Sequence, residues 1–178
     1  MVRLSLCMIV RNEAETLPSC LKSVSGIIDE AIVLDTGSTD LTVQVARSCG
    51  ATVYETAWQN NFALARNECL RYAQGEWVLV LDADEQFFRP IAPALATLMQ
   101  DPDHLVVNLV REEVGATQSP FSLVSRLFRR HPAITFTRPY HAMIDDRVEA
   151  LLAVEPHWKI VTLPDPAIRH EGYRPGTR

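Results

Sequence analysis

Two kinds of hydrophobic pattern alternate along the first half of the chain. Leu4–Val10, Glu30–Asp35 and Trp77–Asp82 are built on nearly unbroken apolar runs of strand length. Runs without polar alternation read as strands buried on both faces, the signature of a parallel sheet. A shorter strand is expected at Ala51–Glu55. Helices are expected between the runs. Leu17, Leu21 and Val24 fall on one face of a helix over about Glu15–Val24, with Pro18 near its first turn, where proline is tolerated. Ser38 or Thr39 is expected to cap a helix over Leu41–Cys49, with Gly50 just past its end. Asn60-Asn61 is expected to cap a third helix, Phe62–Tyr72, closed by Gly75. Alternation of strand and helix predicts an α/β fold with a mainly parallel sheet and right-handed crossovers.

The second half is less regular. A helix is expected over Pro90–Met99, and strands over His104–Val110 and Phe121–Phe128. Val148–Val154 and Trp158–Leu163 read as two strands or as a strand and a helix. Prolines become frequent, and the segment is expected to form mixed α+β structure packed on the same sheet. The 178 residues suit a single domain, 1–178, with one sizeable core.

Composition narrows the class. With 47% apolar and 22% charged residues the chain is an ordinary globular sequence. Its net charge of −5, with Arg129-Arg130 as the one local basic cluster, argues against nucleic acid as a partner. Cys7, Cys20, Cys49 and Cys69 form no Cys-x-x-Cys and read as buried free thiols in a reducing compartment. The first apolar run continues into Arg11-Asn12-Glu13 and does not read as a signal peptide. No apolar run approaches the roughly 20 residues that span a bilayer. A cytoplasmic soluble domain is expected, with peripheral membrane contact left open.

Candidate chemistry gathers at the predicted strand ends. Asp82, Asp84 and Glu85 follow the central run directly. In open α/β sheets ligands bind outside the carboxyl ends of the strands. Carboxylates crowded there repel unless a cation relieves them, and Mg²⁺ or Mn²⁺ carrying phosphate oxygens is the cation such ligands suit. A solvated acidic turn is the alternative for an isolated Asp-x-Asp. Glu13 and Asp35 end or follow two other predicted strands, so the three acidic positions converge on one sheet edge. Asp35-Thr-Gly-Ser-Thr-Asp40 offers a carboxylate and small residues that let a nucleotide approach the backbone; a plain strand–turn–helix joint is the alternative. Arg66 stands one helix earlier, placed either to reach a base or pyrophosphate or to face solvent. His141 and His170 are lone histidines whose spacing assigns them nothing. Walker A, Gly-x-Gly-x-x-Gly and Gly-x-Ser-x-Gly patterns are absent, and Gly37 stands where an aspartyl phosphatase needs its second Asp.

The segments Ser5–Glu13, Val33–Asp40, Phe62–Asn67 and Gly75–Asp84, in this order and spacing, resemble the inverting family-two glycosyltransferases. The branch they resemble most is related to lipopolysaccharide-core and repeat-associated bacterial transferases. The likeness continues more loosely through Ser125–Arg129, Tyr140-His141 and His170–Tyr173. The resemblance implies a GT-A fold, with residues 1–100 as the nucleotide-sugar-binding half and 101–178 as the acceptor-side half. It implies that Glu13 and Asp35 hold the nucleoside and that Arg66 lies near the base or diphosphate. Asp82 would approach the sugar or ribose. Asp84 would bind Mn²⁺ or Mg²⁺, and His170 would sit near that metal. The donor would be a UDP-sugar and the acceptor a hydroxyl of a glycan, lipid or peptide. One departure stands out: the branch often reads His-Glu where this chain has His141-Ala142. Asp145, Asp146 and Glu113 are then the candidate general bases, or the protein binds donor without turning it over. A nucleotidyltransferase is disfavoured, because Val10–Glu13 lacks the glycine-rich loop. Relatives often continue beyond the point, eight residues after His170, where this sequence stops; a short member or a trimmed piece is expected.

Overall fold

A computed structural model describes residues 3–116 and 118–171. Eight strands form one sheet in the order β3-β2-β1-β4-β7-β6-β8-β5. They are β1 Leu4–Val10, β2 Glu30–Asp35, β3 Thr52–Glu55, β4 Trp77–Val80, β5 Glu85–Phe87, β6 His104–Glu113, β7 Phe121–Arg129 and β8 Lys159–His170. The helices are α1 Leu17–Val24, α2 Thr42–Ser48, α3 Phe62–Leu70, α4 Ala92–Gln100 and α5 Asp145–Val154. Strands β1 to β4 pair in parallel, as the unbroken apolar runs predict. β7 then enters antiparallel between β4 and β6. The second half therefore extends the sheet edgewise instead of lying on it.

Both faces of the sheet are covered, which is why its central strands carry no polar alternation. Leu6, Met8, Leu79 and Leu127 pack with Leu17, Leu21 and Val24 of α1 and with Leu95 of α4 on one face. Cys7, Leu34, Val78 and Phe128 pack with Ala65 and Cys69 of α3 and with Val148 and Leu151 of α5 on the other. Among the described residues no helix is long and apolar enough to cross a membrane.

Several local expectations change. Neither Ser38 nor Thr39 caps α2, whose N-cap position is Leu41. The Asp40 carboxylate accepts from the Thr42 N–H at 2.9 Å, the Ser38 hydroxyl accepts from the Asn12 N–H at 2.8 Å, and the Thr39 N–H donates to Asn12 Oδ1 at 2.7 Å. Asn61 does cap α3, accepting from the Leu64 N–H at 3.0 Å. Gly75 does not close that helix. Its N–H donates to Ser5 Oγ at 2.8 Å, and a Cβ there would lie 2.5 Å from that oxygen and 2.9 Å from the Arg3 carbonyl. Glycine is required because β1 passes too close for a side chain. Gly75→Ala is expected to cost about 1–3 kcal/mol by overpacking, read as a lower urea midpoint at unchanged m-value. The segment at Val148–Val154 is helical, with Asp145 and Asp146 in its first turn, where the helix dipole favours acidic groups.

Candidate active site

A cavity of about 530 Å³ opens at the carboxyl ends of β1, β2 and β4. That volume lies in the usual range for small-molecule sites. Val10, Arg11 and Glu13 line it from the end of β1, and Thr36 from the end of β2. Trp58, Phe62 and Arg66 line it from the approach to α3 and from its first two turns. Asp82, Ala83 and Asp84 follow β4, and Arg111 and His170 reach in from β6 and β8. Residues 86 positions apart meet here: His170 Nε2 lies 3.1 Å from Asp84 Oδ2.

The charges are ordered in an alternating chain. Arg66 Nη2 donates to Asp82 Oδ1 at 2.7 Å, and Arg126 Nη2 to Asp82 Oδ2 at 2.9 Å. Burial alone would raise Asp82, but the two arginines outweigh it and hold its carboxyl well below the usual range. Arg126 also reaches Glu85 at 3.4 Å, and Arg111 meets Glu85 at 3.1 Å and Glu113 at 2.6 Å. Glu113 in turn meets His170 Nδ1 at 2.6 Å. Burial opposes charge on His170, yet its Glu113 and Asp84 contacts raise its pKa. Glu13 is raised by burial and by the negative charges of Asp84 and Asp40. Glu13 and Asp84 thus stand close enough at the mouth for their charges to oppose one another, although Asp84 also meets His170.

Asp84 Oδ2 and His170 Nε2 face one another, and Glu113 fixes the other ring nitrogen. A carboxylate on the far nitrogen is the usual orienting partner of a metal-bound histidine. Among the described residues no group of three or more His, Cys, Asp or Glu is arranged to hold a metal ion. The facing Asp84 and His170 would suit Mg²⁺ or Mn²⁺ completed by phosphate oxygens and water.

Other expected residues lie elsewhere. Asp35 is 3% exposed, and its carboxylate is taken by the N–H groups of Gly37 and Ser38 at 3.0 and 2.9 Å and by the Ser38 hydroxyl. It shapes the turn that presents Thr36 and does not itself line the cavity. Asp146 is held by Thr137 at 2.8 Å and by Arg138 at 3.0 Å, contacts that lower its pKa. Glu113 is 9% exposed; burial would raise its pKa, but the His170 hydrogen bond and Arg111 bring it below the usual value. Asp145 is exposed and accepts only from the Ser125 hydroxyl, at 3.2 Å, among the described contacts. Neither Asp145 nor Asp146 lines the cavity. Gly172 and Tyr173 lie outside the described residues.

Arg111, Arg126 and the distinct part played by Glu85 are not among the site residues expected from the sequence. A signal existed for the arginines. Each is a charge in a strand that also carries buried apolar residues, and a charge carried partly into a core requires a partner.

A mixed sheet of this order, with acidic residues behind its central parallel strand, defines the GT-A class. The chain belongs to glycosyl transferase family 2, whose sequence model matches residues 5–161. It is 49% identical over 173 residues to a TPR repeat-containing protein of Synechococcus elongatus, covering 97% of this chain and 43% of that protein. It is 32% identical over 142 residues to the SPbeta prophage-derived glycosyltransferase SunS of Bacillus subtilis, covering 75% of this chain and 33% of SunS. The chain thus spans less than half the length of either relative. Among solved structures, S. aureus TarS 1–349 in complex with UDP-GlcNAc superposes with a TM-score of 0.74 at 19% identity, over 98% of this chain and 59% of that one. Glucosyl-3-phosphoglycerate synthase from Mycobacterium tuberculosis, in complex with Mn²⁺, UDP and phosphoglyceric acid, superposes with a TM-score of 0.73 at 20% identity, over 98% of this chain and 72% of that one. At these identities the two neighbours bear on the fold.

Proposed function

We propose that the protein is a metal-dependent glycosyltransferase that moves a sugar from a UDP-sugar to an acceptor hydroxyl with inversion. The observation that carries this reading is the meeting of Asp84, His170 and Arg66 in one cavity at the parallel strand ends. Arg66 brings a buried Nη1 with no hydrogen-bond partner among the described residues. A buried unpaired donor is costly, and a turn of the guanidinium toward the cavity would offer it to a nucleotide base or diphosphate oxygen. The bound UDP, UDP-GlcNAc and Mn²⁺ in the structural neighbours support the same assignment.

In this reading Glu13 and the turn shaped by Asp35 hold the nucleoside, and Asp82 approaches the ribose or sugar. Asp84 and His170 hold Mn²⁺ or Mg²⁺. When bound, the metal supplies positive charge to the departing diphosphate. The acceptor oxygen bonds to the anomeric carbon as the carbon–phosphate-oxygen bond breaks, UDP leaves, and the hydroxyl proton passes to a carboxylate. Asp145 is the base we assign, because Glu113 and Asp146 are each held by cations. The acceptor would be a glycan, lipid or peptide hydroxyl seated on the 101–178 half.

A second reading, a nucleotide-sugar-binding protein without turnover, draws on Ala142 and on the two neutralised carboxylates. Calorimetric titration of UDP, GDP, CMP and dTDP, with and without Mn²⁺, tests the donor assignment. UDP is expected to bind tightly only with metal. Binding of none of the four with metal present would overturn both readings. UDP-sugar binding without UDP release, across a panel of acceptors, would favour the second.

A further inference from the structure

Glu85 has no exposed surface and does not line the cavity. Its carboxylate nevertheless receives three donors: the Asp82 N–H at 2.8 Å, Arg111 Nη1 at 3.1 Å and Arg126 Nη1 at 3.4 Å. From it the chain of charges runs two ways. Through Arg126 it reaches Asp82. Through Arg111 it reaches Glu113, then His170, then Asp84. The backbone converges on the same groups. Glu85 pairs with His170 across β5 and β8, and the Glu171 N–H donates to the Asp84 carbonyl at 3.2 Å.

Buried ion pairs are weak contributors to stability, because desolvation offsets their attraction. Fixed geometry is what such an arrangement supplies. We propose that Glu85 is the positioning residue of the donor site, holding Asp82 through Arg126 and the Asp84–His170 pair through Arg111 and Glu113. It touches no ligand itself. This inference rests on the reading of the cavity as a nucleotide–metal site.

Glu85→Gln separates position from packing. Glutamine keeps the shape, the β5–β8 pairing and an acceptor for the Asp82 N–H. It removes the charge that the two arginines share and turns an amide NH2 in place of one acceptor oxygen toward one of them. Each arginine then settles on its remaining carboxylate, and both ends of the chain lose their fixed geometry. The expected result is a UDP affinity in saturating Mn²⁺ about 10–100-fold weaker, the range seen when an outer partner of a metal ligand is lost.

The test is calorimetry of UDP with Mn²⁺, and thermal unfolding of the same samples, for wild type, Glu85→Gln, Arg126→Lys and the double variant, each at a temperature where it is folded. Leu95→Ala, in the α4 core, is the control that should lower the unfolding temperature and leave UDP affinity unchanged. Both single variants are expected to weaken binding, and the double variant by less than the product of the two, because they interrupt one path. Wild-type affinity in Glu85→Gln would overturn the proposal and leave Glu85 a stability role. Effects that multiply would sever the route through Arg126. If Glu85→Gln does not fold, Arg126→Lys decides the matter, since wild-type affinity there contradicts the proposal. Failure of wild type to bind nucleotide overturns the donor site itself, an outcome distinct from wild type binding and the variants binding equally well.

Discussion

Asp84→Ala is expected to abolish metal-dependent UDP binding while leaving the fold intact. Asp84 supplies one of two protein ligands in the proposed site, so its removal leaves His170 alone. Loss of an outer-shell partner already costs about 10–100-fold in metal affinity, and loss of a ligand should exceed that. The fold should survive because the Asp84 side chain is 39% exposed and belongs to neither core cluster. Its carboxylate also repels Glu13, which sits higher in pKa partly on that account. Calorimetry with and without Mn²⁺, beside a far-ultraviolet spectrum, gives the result. A variant that binds UDP and Mn²⁺ as wild type does would remove Asp84 from the site. Asp84→Asn refines the reading: it keeps the shape and loses the charge, so it should fall close to the alanine variant if charge on a cation is what matters.

Why the strands and half of the site were legible, and the rest was not, follows from the kind of signal each leaves. Leu4–Val10 and Glu30–Asp35 read correctly to the residue because strands covered on both faces carry no competing period. The three residues of β5 are too few to show any period, yet their pairing with β8 is what brings His170 to Asp84. The insertion of β7 between β4 and β6 is a long-range choice with no local signature. Gly75 reads as a helix stop because glycine commonly is one; only the proximity of Ser5 reveals the other reason. In the site, Asp82 and Asp84 are visible as charges at a strand end. Arg66 and His170 were legible chiefly through the family resemblance, since their partners lie 16 and 86 residues away. Arg111 and Arg126 are visible as charges in strands that also carry buried apolar residues, but nothing local says which carboxylate each one serves.

The cavity's electrostatics also separate binding from transfer. Among the described residues, Asp82 and Glu113 are held by arginines or a histidine and Asp84 by His170, while Glu13, which also lines the cavity, accepts from the Thr16 hydroxyl at 2.6 Å. Asp82 is held low by Arg126 and Arg66, and Glu113 by His170 and Arg111. The base we assign, Asp145, lies within residues 101–178, where Ala142 stands at the position that the resembled branch often fills with a glutamate. Ala142 is half-buried against the core of that side, beside a loop in which Arg138 and His141 take positive φ values of 70° and 51°. Strain in non-glycine residues of this kind clusters at functional sites.

Asp145→Asn is therefore expected to lower the rate of UDP release from a UDP-sugar by about 10²–10⁴-fold, the usual contribution of a general base. UDP and Mn²⁺ affinities should stay at wild-type values, because Asp145 lies outside the donor cavity. Its placement supports the role. Ser125, which donates to Asp145, is adjacent in β7 to Arg126, which grips Asp82. The acceptor-side carboxylate and the donor-side carboxylate are thus carried by neighbouring residues of one strand. Asp146→Asn is the comparison: its carboxylate already holds Arg138 and Thr137, so its loss should loosen the loop and change turnover far less. Steady-state release of UDP, with donor affinity measured separately, distinguishes a lost base from lost binding. Full turnover in Asp145→Asn would take the base away from this residue. Ala142→Glu then becomes the informative variant, since a gain in turnover would place the acceptor at that loop. Unchanged, near-zero turnover in wild type and Ala142→Glu alike, with UDP-sugar still bound, would leave a donor-binding protein whose two best-placed acids are committed to holding the site together.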